Sequence, residues 1–345
     1  MARIHMNTII LPAPLRPGDA IGIFSPSSPA TAFAPKRYAR AKAYLEGKGF
    51  RIVEGSLTGK RDHYRSGSIR ERVDELNALI RNPEVRCIMS AIGGMNSNSL
   101  LPYIDYKALR RDPRIIVGYS DVTALLLGIY AQTGLCTFYG PAAVASFGEF
   151  PPLVDETFEY FMNMVGSESL TQRGDWNGVL PTPAAWTDIF VPWEEQDGPK
   201  ETGPNQLITV NPGRAEGRLI GGNLNTMLSI WGTPYMPEIR EGDILFIEDS
   251  LLDAADQERS FAHLKLAGVF DRIGGLIMGK HEQFDNQGTG RRPCDILQEV
   301  MGPVSFPVLA DFDCGHTHPM LTLPIGRRVA LDADNQTVAI SGSRQ

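Results

Sequence analysis

Three short stretches, far apart in the chain, carry residues able to share one reaction. Gly118-Tyr119-Ser120-Asp121 brings a hydroxyl, Phe246-Ile247-Glu248-Asp249 a pair of carboxylates, and Cys314-Gly315-His316-Thr317-His318 two imidazoles. A serine hydroxyl is a weak nucleophile until a base takes its proton. An imidazole serves best as that base when an acid fixes its tautomer and stabilises its charged form. Hydrolase triads occur in several chain orders, and serine, acid, histidine is one of them. Of the two carboxylates, Asp249 with Ser250 behind it suits the capping of a following helix, which leaves Glu248 to orient the imidazole. Acyl transfer also needs donors for the developing oxyanion. The Asp121 N–H, just after the nucleophile, is one, and the side-chain-free backbone at Gly94 offers a second.

Each of these residues has a plainer use. Ser120 would serve equally as a helix N-cap, and its turn lacks the second glycine of a Gly-x-Ser-x-Gly elbow, with Val122 standing there. His316 would equally be a buried histidine with a partner. Asp311, Asp313, Cys314, His316 and His318 alternate along one segment, which places several metal-ligand types on one face of an extended chain. That is the basis for a metal-dependent hydrolase, although no His-Glu-x-x-His helix accompanies it and Pro319 turns the chain. A protein that sequesters its ligand without reacting is a third reading.

The elements around these stretches say how they are presented. Ile115-Ile116-Val117 reads as a buried strand and the Ala/Leu-rich run after Asp121 as a helix, so Ser120 falls on the turn between them. Upstream, Asp19 to Phe24 is a strand, Ser25 to Pro29 a loop with two prolines, Pro35 to Leu45 a helix and Phe50 to Val53 a strand. Ser68 and Glu71 form a capping-box pattern before an apolar periodicity that runs to Ile80. Val85 to Ala91 is the next strand and runs into Gly93-Gly94-Met95-Asn96-Ser97-Asn98-Ser99. Strands alternating with helices in this rhythm predict a doubly wound parallel sheet, whose ligands bind at the carboxyl ends of the strands.

A second set of strands begins near Gln206 and continues with Gly217 to Ile220, Gly242 to Asp249, Ile273 to Gly279 and Pro307 to Asp313, with a helix from Ser260 to Leu266. Gly221-Gly222 precedes an apolar helix that opens at Asn223-Leu224, a place for an anion or simply a tight turn. Neither a Gly-x-Gly-x-x-Gly nor a P-loop pattern occurs, so no nucleotide cofactor is inferred. The expected fold is therefore α/β: an N-terminal doubly wound domain over 1–165 carrying the nucleophile, a linker and lid-like insertion over 166–205, and a C-terminal α/β domain over 206–345 carrying acid and base, with the active site between the domains. In the insertion Trp176, Trp186 and Trp193 lie close together, as core or as a stacking platform.

Length and charge agree with this division. A chain of 345 residues exceeds the size at which one core stops growing. Its formal charge of −7 argues against a nucleic-acid partner, which needs a basic face. No stretch reaches the roughly 18 apolar residues of a membrane span, and the N-terminus lacks a signal peptide's long apolar region. Cys87, Cys136, Cys294 and Cys314 are widely spaced without a C-x-x-C pair, as expected of a reduced, cytoplasmic compartment.

Taken together, Gly93-Gly94, Leu100-Leu101-Pro102-Tyr103-Ile104-Asp105, Gly118-Tyr119-Ser120-Asp121, Gly221-Gly222-Asn223-Leu224, Phe246-Ile247-Glu248-Asp249, Gly315-His316 and Leu323-Pro324-Ile325-Gly326 resemble the L,D-carboxypeptidase family of serine peptidases. The Gly93–Ser99 loop and the tryptophan-bearing insertion are most similar to its microcin C immunity branch. The resemblance implies a Ser120–Glu248–His316 triad, substrate contacts from Gly93 and Asn223, a homodimer and no cofactor. It also implies a substrate that is a small peptide or an aminoacyl nucleotide, such as a murein tetrapeptide or a microcin C-like conjugate, with Trp186 stacking on the base. In that branch a basic residue after the catalytic glutamate recognises an acidic aminoacyl group; here the turn reads Ser250-Leu251-Leu252-Asp253.

Overall fold

The computed structural model describes residues 9–167 and 178–341, and Trp176 lies outside them. Its fifteen described strands are β1 (Ala20–Phe24), β2 (Arg51–Glu54), β3 (Val85–Ser90), β4 (Ile115–Gly118), β5 (Thr137–Tyr139), β6 (Ala185–Trp186), β7 (Gly203–Pro204), β8 (Ile208–Asn211), β9 (Arg214–Asn223), β10 (Ile244–Glu248), β11 (Gly275–Gly279), β12 (Val308–Phe312), β13 (Leu323–Ile325), β14 (Arg328–Asp332) and β15 (Thr337–Ile340). Thirteen of them build two large sheets, and β6 and β7 form a separate ribbon. The first has the order β13-β5-β4-β3-β1-β2, with β1 to β5 parallel to one another. The second has the order β15-β14-β9-β10-β11-β12-β8, parallel from β9 to β12. The fold is two-domain α/β.

Local chemistry explains the elements. The strands β1, β4, β10 and β11 are buried along their whole length, which is why they read as continuous apolar runs rather than alternating ones. The helix Ile69–Arg81 starts on the expected capping box: Glu71 N–H donates to Ser68 Oγ and Ser68 N–H to Glu71 Oε2. The helix Thr123–Thr133 is buried from Thr123 to Ile129 because it packs on β5 in one domain and on β9 and the helix Leu224–Ile230 in the other. A helix covered on all sides has no polar face to present. It ends on Gly134, whose left-handed backbone supplies the C-terminal cap.

Three readings of the sequence change. Gly221 and Gly222 are neither an anion loop nor a turn. They are the last residues but one of β9 and bring it against its neighbours. At Gly222, φ +150°, a side-chain carbon would sit 2.5 Å from Thr123 Cγ2, and the next residue, Asn223, donates its N–H to Thr123 Oγ1 at 3.0 Å. The helix expected from Ser260 starts at Ala254, and its cap is Asp253, whose side chain accepts from Asp256 N–H. Asp249 serves elsewhere, accepting from Asn225 N–H and Gln257 Nε2. Lastly, between β12 and β14 of the second sheet the chain returns to the first domain, where β13 pairs antiparallel with β5.

Of the insertion, the described part is fastened at several points. Val179 bridges to Ala339 of β15. Asn205 N–H donates to Ala184 O beside the β6–β7 ribbon, and Thr187 pairs through its backbone with His318. Gln196 and Lys200 reach Glu149, which also binds Arg37 of the helix Pro35–Gly47 at 3.0 Å. Among the described residues no helix is long and apolar enough to cross a membrane. Close approach at Gly222 is a condition of the domain contact, so Gly222→Ala should lower unfolding stability by about 2–4 kcal/mol. A urea midpoint equal to the parent's would show that the contact has room to spare.

Candidate active site

The carboxyl ends of parallel strands from both sheets meet at one point. Ser120 follows β4 and has φ +60°, a left-handed conformation that costs a non-glycine residue about 1–3 kcal/mol. Such a bent strand-to-helix turn holds a hydroxyl clear of its own backbone. The Ser120 side chain caps no helix: neither the short turn Ser120–Val122 nor the helix after it has a side-chain cap. Its Oγ lies 2.9 Å from His316 Nε2, and His316 Nδ1 lies 2.7 Å from Glu248 Oε2. Ser120, His316 and Glu248 thus converge in hydrogen-bond contact from 120, 248 and 316. The Tyr119 ring packs edge-on against the imidazole, with centroids 4.9 Å apart.

Glu248 ends β10 and has no exposed side-chain surface. A carboxylate taken out of water needs partners for both oxygens. Oε2 has the imidazole; Oε1 accepts from Asn223 Nδ2 at 3.0 Å and from the Tyr139 hydroxyl. Burial pushes this carboxyl up, but the imidazole charge and these hydrogen bonds outweigh it and hold Glu248 below its ordinary value. For His316 the balance runs the same way: burial pushes it down, and the charge and hydrogen bond of Glu248 bring it above the usual histidine range. Asp249, by contrast, is pushed up to about 7, by burial first and then by the charge of Glu248.

Asn223, expected on the substrate side, spends both ends of its amide within the protein. Its Oδ1 accepts from Thr226 N–H and Oγ1, capping the helix Leu224–Ile230, while its Nδ2 holds Glu248. Gly93 is the glycine that lies against Ser120: a side-chain carbon there would be 2.9 Å from Ser120 Cβ and 3.1 Å from Asp121 N. Gly94 packs against Ser27 and Ser28 instead. The loop is hung on Asp121, whose Oδ2 accepts from Asn96 and Ser97 N–H, and on Ser27, whose Oγ accepts from Met95 N–H.

The segment 311–318 does not gather ligands for a metal. Asp313 is bound to Lys280 at 2.7 Å and to Asn205 at 2.9 Å, both nitrogens of His316 are engaged, and Cys314 is fully buried. Among the described residues no group of three His, Cys, Asp or Glu side chains is placed to hold a metal ion. His318 is pushed down to about 3, by burial first and then by Lys200, so it stays neutral. Of the tryptophans, Trp193 packs against Phe33 and beneath Arg37. Trp186 is half-buried beside the loop of the base, its ring centroid 5.4 Å from Lys280 Nζ. Tyr139, which touches both halves of the site from β5, carries no signal at the level of sequence.

Family models for the LD-carboxypeptidase N-terminal and C-terminal domains match residues 21–140 and 216–331. The chain belongs to the LD-carboxypeptidase family. Within this family of serine peptidases it is 62% identical over 320 residues to a Vibrio cholerae protein that carries a provisional carboxypeptidase name, covering 93% of this chain and 94% of that one. It is 52% identical over 334 residues to the microcin C7 self-immunity protein MccF of Escherichia coli, covering 96% of each. A solved structure of MccF in complex with aspartyl sulfamoyl adenosine superposes with a TM-score of 0.92 at 52% identity, over 97% of this chain and 99% of that one.

The opposed effects at His316 can be measured directly. Its C2 proton should titrate above 6.5, the ordinary histidine value, and Glu248→Gln, which leaves burial without the compensating charge, should bring the titration below it. An NMR pH series on the two proteins decides the matter, and an unchanged midpoint would mean that Glu248 does not govern the imidazole.

Proposed function

We propose that this LD-carboxypeptidase family member cleaves an amide-type bond in an aminoacyl or peptidyl conjugate with a Ser120–His316–Glu248 triad. The observation that carries the reading is the imidazole bridging hydroxyl and carboxylate at 2.9 and 2.7 Å. His316 Nε2 accepts the Ser120 proton as Oγ attacks the scissile carbonyl, and Glu248 balances the imidazolium that forms. The oxyanion is received by the Asp121 N–H and by the Gly94 N–H on the peptide after Gly93. His316 then gives its proton to the leaving group as the carbon–leaving-group bond breaks. Water, deprotonated by the same imidazole, cleaves the acyl-serine. Because the neutral imidazole is the base, turnover is lost as pH falls through the raised His316 value.

The leaving group we infer is a nucleotide-like one, stacked on Trp186. Lys280 supports this role by standing over the ring and so restricting it. The likeness to MccF, solved with aspartyl sulfamoyl adenosine and glutamyl sulfamoyl guanosine, supports it further. The turn Ser250–Asp253 presents no cation to an acidic aminoacyl side chain. The family resemblance supports a homodimer, and four free, buried thiols fit a cytoplasmic setting.

Incubation with a murein tetrapeptide and with aminoacyl sulfamoyl adenosines, read by mass spectrometry, tests both halves of the reading. The aminoacyl nucleotide should be cleaved, and Ser120→Ala should lower turnover on the order of ten-thousand-fold with the fold intact. Cleavage of the tetrapeptide alone would overturn the nucleotide assignment; wild-type turnover by Ser120→Ala would overturn the triad.

A further inference from the structure

We propose that Tyr139 is a positioning residue that couples the nucleophile turn to the acid through its hydroxyl. The inference rests on the triad reading above and adds a fourth side chain to it. The phenol donates its single proton to Glu248 Oε1 and accepts the Ser120 backbone N–H at 3.2 Å. It therefore touches the acid and the residue bearing the nucleophile at once, reaching from the first domain to the end of β10 in the second.

Its surroundings leave the hydroxyl little freedom. The side chain is fully buried, and its ring packs edge-on against Phe246 at 5.3 Å and Tyr119 at 6.5 Å. On the backbone it is held between β4, through Gly118, and β13, through Leu323. Burial, together with the Glu248 charge, keeps the phenol protonated far above neutral pH, so it remains a donor.

Two consequences follow for the chemistry. The Ser120 N–H belongs to a residue at φ +60°, and a bond to that N–H pins the turn from which Oγ projects. The proton given to Oε1 draws charge from the carboxylate and tempers its pull on the imidazole. Without it, Glu248 becomes more basic toward His316, and the imidazole holds its proton to higher pH. A residue that merely filled space would do neither.

Tyr139→Phe removes one oxygen and keeps the ring. With aspartyl sulfamoyl adenosine as substrate, kcat should fall about 10- to 100-fold with KM within roughly twofold, the range expected for losing a hydrogen bond to a charged group. The acid limb of the kcat profile should move to higher pH. The second-order rate of labelling by a fluorophosphonate, which depends only on an activated serine, should fall in parallel. In a Glu248→Gln background the same change should cost clearly less, since the charge it tempers is gone and only the bond to the Ser120 N–H is left to lose. The inference is overturned by unchanged kcat and labelling, by an unmoved acid limb, by an equal loss in both backgrounds, or by a Tyr139→Phe chain that does not fold, which would assign the hydroxyl to folding. Ser120→Ala run alongside separates the two levels. If it retains labelling and turnover the triad itself fails, whereas an inert Ser120→Ala beside a fully active Tyr139→Phe removes only the role of Tyr139.

Discussion

A carboxylate held wholly out of water is the constraint around which this molecule is arranged. Leaving such a charge without partners costs several kcal/mol even after the protein relaxes, so each oxygen of Glu248 has to be met. The partners come from three directions: His316 from the loop after β12, Asn223 from the end of β9, and Tyr139 from β5 in the other domain. Asn223 and Glu248 lie opposite each other in the parallel register of β9 and β10, which is a matter of one sheet. Tyr139 is not, and its bond makes the carboxylate a shared element of both domains.

Around this point the domain contact is built at unusually short range. Gly222 lies against Thr123, and Thr123 begins the helix that follows the nucleophile turn. The same helix is covered by elements of both sheets, and β13 returns from the second domain to extend the first. The position of Ser120 relative to His316 thus depends on backbone contacts as well as on side chains, and a small shift in either sheet would open the 2.9 Å contact.

Much of this was legible in the sequence because parallel strands present their carboxyl ends together. Ser120, Glu248 and His316 each follow a run of buried apolar residues, and that placement needs no knowledge of the third dimension. That Glu248 rather than Asp249 faces the imidazole was legible too, although the helix expected to be capped by Asp249 is capped by Asp253. Gly221-Gly222 was misread because glycine pairs before a helix look alike whether they turn the chain or let it approach another element closely. Asn223 entered as a substrate contact through the family resemblance alone, and nothing in the sequence shows that its amide also caps a helix and holds Glu248. Tyr139 was illegible for a simple reason. Its partner is 109 residues away, and a tyrosine in a buried strand resembles any other core aromatic.

The backbone pairing of Thr187 with His318 ties the tryptophan-bearing insertion to the loop of the base. The same loop carries His316, whose ring joins the Ser120 hydroxyl to the Glu248 carboxylate. Trp186 precedes Thr187 in the chain, so the ring proposed for stacking and the imidazole proposed as base are mounted on one hydrogen-bonded frame. Under that proposal selectivity and reactivity are mechanically inseparable: remodelling the insertion to admit a different leaving group would pull on the imidazole as well.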